Sequence, residues 1–99
     1  MPNRDQLDIR QVKAGVWRIE ADYNADFVEY LKMRVPKQDR DYDPDTNVWT
    51  ITGDKYIPAI EGVGVQKFSF ATKIFWREGK QVWHNLKTGR EEIQENLFQ

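Results

Sequence analysis

Apolar and polar residues alternate from Val16 to Tyr23. Trp17, Ile19, Ala21 and Tyr23 share one parity, while Val16, Arg18, Glu20 and Asp22 share the other. A period of two marks a strand buried on one side. At Asn24 the period changes. Phe27, Val28, Leu31 and Met33 or Val35 fall at helical spacing behind a residue suited to an N-cap, which predicts a helix over 25–34. Pro36 stops it at Val35, because the residue before a proline is pushed out of the α region. Residues 1–13 are polar and unpatterned and are expected to be a flexible N-terminal arm, with 14–99 a single domain.

The stretch KQDRDYDPDTN, 37–47, is rich in charge and turn formers and reads as a loop. Val48 to Thr52 follows as a short strand. Gly53 and Asp54 then open a second short helix running to Glu61, with Pro58 making it imperfect and Gly62 as its cap. Residues 65–77, VQKFSFATKIFWR, read as the longest strand. Phe68, Phe70, Ile74 and Trp76 are assigned to its buried side. Lys67, Ser69, Ala71, Lys73, Phe75 and Arg77 are expected to point outward. Glu78-Gly79 is the turn of a hairpin returning through Gln81 to Leu86.

Thr88-Gly89-Arg90-Glu91 fits a capping box leading into a C-terminal helix that places Ile93 and Leu97 together. The rival is a second hairpin turn at Lys87-Thr88-Gly89 into a strand. EEIQENL, made mostly of good helix formers, favours the helix. The resulting order, β-α-β-α-β-β-α, predicts an α+β fold: a small antiparallel or mixed sheet with helices packed on one face. The expected core is Trp17, Ile19, Phe27, Leu31, Trp49, Ile51, Phe68, Phe70 and Ile74. On that assignment, truncating Phe70 to Ala would cost about 3–5 kcal/mol.

Composition narrows the function. Thirteen aromatics in 99 residues speak for a folded core rather than a disordered tail. With no cysteine, a disulfide scaffold, a cysteine zinc site and a thiol nucleophile are excluded. His84 is the single histidine and Ser69 the single serine, and no nucleophile motif surrounds either, so no catalytic residue and no enzyme are expected. Asp39, Asp41, Asp43 and Asp45 begin like a calcium loop. However, Thr46 stands where such a loop needs its turning glycine and no glutamate closes it. A charged surface loop is the expectation, with no metal and no cofactor. No run of about 18 apolar residues is present, so no membrane span is expected. The opening residues do not read as a signal peptide, and a cytoplasmic location is the expectation.

Fifteen basic against sixteen acidic residues leave a net charge of −1. The distribution is uneven. Residues 20–62 hold ten acids and five bases, whereas residues 63–90 hold six bases and one acid. The outward parity of the long strand carries Lys67, Lys73 and Arg77 around Phe75, with Lys80 at the turn and Trp83 on the next strand. Cations beside exposed rings suit single-stranded nucleic acid: ammonium and guanidinium groups meet phosphates, and rings stack on bases. The same pattern also fits an ordinary solvated strand with Phe75 packed against the C-terminal helix.

The segment WRIEADYNADFVEYLKMRVPKQDRDYDPDTNVWTITGDKYIPAIEGV, residues 17–63, resembles the HARP domain of annealing helicases of the SNF2 class. The matching positions are Leu31 and Lys32, then Arg40, Tyr42 and Asp43, then Trp49, then Asp54 and Tyr56. Leu31 stands where a phenylalanine is usual, and the loop from Lys32 to Tyr42 is longer than the family's. The resemblance implies a β-α-β-α unit that binds single-stranded or forked DNA and helps anneal it, and it adds Arg40 and Tyr42 to the expected contacts. Tyr42 and Trp49 also fit a simpler role, clamping the corner around Asp-Pro-Asp-Thr. The expected nucleic-acid contacts are therefore Arg40, Tyr42, Lys67, Lys73, Phe75, Arg77, Lys80 and Trp83. The alternative from another class is a protein-protein interaction module, an inhibitor or assembly factor, using an aromatic surface.

Overall fold

Leu7 and Ile9, in the stretch expected to be an arm, are fully buried. In a computed structural model that describes residues 5–94, Gln6–Lys13 forms β1, which pairs antiparallel with β2 (Val16–Ala21) and parallel with β5 (Phe70–Arg77). This corrects the arm assignment for those residues. Two apolar positions among polar ones make a faint alternation, but strands on both sides satisfy the backbone of β1 and bury that pair. Residues 1–4 of the expected arm lie outside the described residues.

The remaining elements are α1 (Ala25–Arg34), β3 (Arg40–Asp43), β4 (Val48–Thr52), α2 (Ile57–Lys67), β6 (Lys80–Asn85) and β7 (Glu91–Gln94). The strands form one seven-stranded mixed sheet in the order β3-β4-β2-β1-β5-β6-β7. The fold is α+β, as expected. The chain order is β-β-α-β-β-α-β-β-β, and it differs from the expected one at β1, β3 and β7.

Helix α1 follows its local signals. Asn24 Oδ1 accepts from the Phe27 N–H at 3.0 Å, and Val35 leaves the helix in an extended conformation before Pro36. A 3₁₀ turn, Lys37–Asp39, then leads into β3, where a loop was expected. Tyr42 pairs with Trp49 and Arg40 with Ile51. Charged residues are suited to such an edge strand, which explains why composition alone concealed it. The β3–β4 turn is built by Asp43, whose carbonyl accepts from Asn47 N at 2.8 Å and whose carboxylate accepts from Asp45 N at 2.9 Å.

Helix α2 runs past Gly62, the expected cap, to Lys67. Its interior glycine Gly64 is a packing residue. A Cβ there would collide with Leu7 Cδ2, so the missing side chain lets the helix approach β1 closely. The extension of α2 delays β5 to Phe70 and overturns the expected parity. Phe68 is buried, edge-on to Phe27 with ring centroids 5.0 Å apart, but it caps the helix rather than starting the strand. Its burial therefore carries no information about which strand residues face inward. Phe70, expected in the core, and Trp76, of the same parity, are 59% and 53% exposed. Ala71 is buried opposite Leu7, and Lys73 lies opposite Ile9.

The Glu78-Gly79 turn is as expected, with φ of 53° and 77° suited to a two-residue hairpin. The C-terminal helix is not formed over the described residues. Asn85 Oδ1 instead accepts from Lys87 N and Thr88 N, Gly89 takes φ 80°, and β7 pairs with β6. That local turn outweighs the helix propensity of Glu91 to Gln94. Leu97 lies outside the described residues.

Phe27 and Leu31 of α1 and Ile57 and Ile60 of α2 share one buried cluster with Leu7, Ile9, Trp17, Ile19, Trp49, Ile51 and Ala71. Cross-strand register puts those strand residues on a common side of the sheet. Each fully buried large aliphatic side chain adds about 1.5–3 kcal/mol. Among the described residues, no helix is long and apolar enough to cross a membrane.

Candidate functional site

The basic residues expected to meet phosphates are largely engaged within the protein. Lys67 Nζ, at the end of α2, lies 3.4 Å from Asp26 Oδ2. Lys73 projects on the same side as the buried cluster, with its Nζ 2.7 Å from Glu61 Oε2 and above the rings of Trp17 and Phe75. Glu61 Oε2 makes no aligned hydrogen bond, so this contact is a charge attraction. Arg77 donates to both carboxylate oxygens of Glu91, at 3.1 and 3.3 Å, and stacks over Phe75. His84 Nδ1 lies 2.8 Å from the same carboxylate. Arg77 first and His84 second hold the Glu91 carboxyl below its usual range. Phe75 is half-buried against the core.

The expected contacts therefore do not form one surface. Lys73, Phe75, Arg77 and Lys80 share one side of β5–β6, and Trp83, opposite Ile74, is on the other. Arg40 and Tyr42 lie on the edge strand β3, with β4, β2 and β1 between them and β5.

The side of the sheet away from the buried cluster carries a different arrangement. Phe70 and Trp76 of β5 and Trp83 of β6 are exposed there together, around the buried Ile74. Trp83 Nε1 donates to Gln81 Oε1 at 2.9 Å, which orients the indole. In register with Ile74 is Arg10 of β1, and opposite Arg10 is Arg18 of β2. Like charges directly opposite one another on a sheet cost stability, a cost that a bound anion relieves. Asp8 and Glu20 occupy the next row, and burial pushes the Asp8 carboxyl above its usual range. The parity assigned to β5 hid this face. Its available signal was the large apolar residues on both parities of residues 68–76, which a strand with one solvated side does not need.

A cavity of about 730 Å³ lies among the end of β2, α1 and β3. Its lining includes Lys32, Arg40, Tyr42 and Trp49, four positions on which the HARP resemblance rests. The other matched positions are structural. Leu31 is in the core, Asp54 accepts from Trp17 Nε1, and Tyr56 donates its hydroxyl to Asp39, which raises the phenol's pKa. No family model matches the chain, and no curated protein or solved structure matches it.

Proposed function

We propose that this chain is a small non-catalytic module that binds single-stranded or forked nucleic acid on the open face of its sheet. With both helices packed on one face, the other is left to carry the ligand. The observation that supports this reading is the joint exposure of Phe70, Trp76 and Trp83 beside the opposed Arg10 and Arg18. Stacking a base on each ring contributes about 1–3 kcal/mol. Arg10 and Arg18 meet about two phosphates, so affinity falls with salt at a log–log slope near −1.4. The four cations Lys67, Lys73, Arg77 and Lys80 would have given a slope near −3. DNA is the favoured form through the HARP resemblance, and a cytoplasmic location belongs to the same reading.

The test is fluorescence anisotropy of a labelled oligothymidylate over a salt series. Trp83→Ala weakens binding and leaves the slope intact, because stacking releases no counterions. Replacing Arg10 and Arg18 by Gln flattens the slope, and Lys73→Gln changes neither. If micromolar protein at low salt binds no oligonucleotide, the second reading takes its place. That reading is a protein-protein interaction module, an inhibitor or assembly factor. It is favoured by the same exposed tryptophans, a residue type enriched at interface hot spots, and by the acids Asp8 and Glu20 beside the arginines.

A further inference from the structure

The cavity between α1 and β3 is at the opposite end of the sheet from the exposed rings of β5 and β6. Its volume of about 730 Å³ is in the range of small-molecule sites. Two chemistries meet in its walls. One is aromatic: the rings of Tyr42 and Trp49 lie 4.7 Å apart and tilted by 44°, and Tyr23 adds a third ring that is 84% exposed. Tyr42 is fixed by its hydroxyl, which donates to Asn47 Oδ1 at 2.7 Å.

The other chemistry is cationic. Lys32 from the last turn of α1, Lys37 from the 3₁₀ turn and Arg40 from β3 all line the cavity. Unlike Lys67, Lys73 and Arg77, none of them has an ion-pair partner among the described residues. Arg40 Nη1 is buried and makes no hydrogen bond. A buried guanidinium donor without an acceptor is unfavourable, and an anionic oxygen from a ligand answers it. Two carboxylates also line the cavity. Asp22 already accepts from Gln6 N at 2.9 Å, and Asp41 is exposed, so the cations outnumber them.

We propose that this cavity is a site for a phosphorylated nucleoside, its base against the Tyr42 and Trp49 rings and its phosphate held by Lys32, Lys37 and Arg40. The site is independent of strand binding on the open face. A free nucleotide and the 5′-phosphorylated end of a strand present the same chemistry.

The experiment is a titration of the full chain with thymidine monophosphate, followed by calorimetry and by the four indole N–H signals in a ¹H–¹⁵N spectrum. The expected result is saturable binding that moves the Trp49 signal and leaves those of Trp76 and Trp83 in place. Arg40→Gln weakens binding about tenfold, the loss of one charge-assisted contact. If that variant does not fold, the double replacement of the exposed Lys32 and Lys37 by Gln is expected to act the same way. Lys73→Gln is without effect. A 5′-phosphorylated oligonucleotide that moves Trp49 at lower concentration than the monophosphate, while its unphosphorylated counterpart does not, identifies a strand end as the source. Equal or weaker action identifies the free nucleotide. An unmoved Trp49 signal at millimolar monophosphate, or an equal response to unphosphorylated thymidine or to inorganic phosphate, overturns the proposal. Loss of strand binding on the open face leaves these signals unaffected, so the two readings fail separately.

Discussion

The indole Nε1 of Trp17 donates to Asp54 Oδ1 at 2.7 Å, joining residues 37 positions apart. The bond ties β2 to the 3₁₀ turn that opens α2, and Trp17 itself is only 6% exposed. Removing the acceptor leaves the indole donor without its partner. Asp54→Ala is therefore expected to cost about 1–3 kcal/mol, measured as a shift of the urea midpoint at constant m-value. An unchanged midpoint would show that the bond contributes nothing to stability.

Gly62 and Gly64 lie two residues apart in α2 and are expected to respond in opposite directions. A Cβ at Gly62 meets nothing within 4 Å, so Gly62→Ala gains helix propensity and stabilises by about 0.5–1 kcal/mol. A Cβ at Gly64 collides with the fully buried Leu7, so Gly64→Ala costs about 1–3 kcal/mol despite the same gain. Thermal melts of the two variants decide it. Equal shifts would contradict the close approach of α2 to β1.

Asp8 gives a pH signature. Burial raises its pKa in the folded state, so the folded chain binds this proton more tightly than the unfolded chain does. The ionised carboxylate therefore subtracts from stability above its folded pKa, and the loss disappears as pH falls below the ordinary value of 3.8. Asp8→Asn is expected to melt higher than the parent at pH 7 and level with it in acid. A constant difference at both pH values would exclude the titration as its cause.

Truncations distinguish the observed parity of β5 from the one read in the sequence. Leu7→Ala is expected to cost about 2–5 kcal/mol, because it empties space in the buried cluster. Phe70→Ala is expected to stay within about 1 kcal/mol, because the ring is mostly exposed. Chemical denaturation of both variants measures this directly. The reverse ranking would restore the core role first assigned to Phe70.

Legibility followed the range of the forces involved. The Asn24 cap, the Pro36 stop and the Glu78-Gly79 turn act within a few residues, and α1 and the β5–β6 hairpin were readable from them. Strand β1 was not, because α2 packs over Leu7 at Gly64 and β5 pairs along one edge of the strand, both more than fifty residues away. Strand β3 was masked by its charges, as an edge strand can be. At the candidate site, α2 continues to Lys67 and Phe68 caps it, so a parity counted from Phe68 puts Phe75 outside and Phe70 and Trp76 inside, opposite to what is observed. Arg40 and Tyr42 were singled out through the resemblance, and both do line one cavity.

On the proposed reading, the open sheet face rather than the basic hairpin face holds a strand. The four tryptophans report on it in one ¹H–¹⁵N spectrum, because Trp76 and Trp83 lie on that face while Trp17 and Trp49 belong to the buried cluster. Titration with an unphosphorylated oligothymidylate is expected to move the Trp76 and Trp83 indole signals together and leave those of Trp17 and Trp49 in place. Saturating oligonucleotide that leaves Trp76 and Trp83 unmoved would contradict the claim.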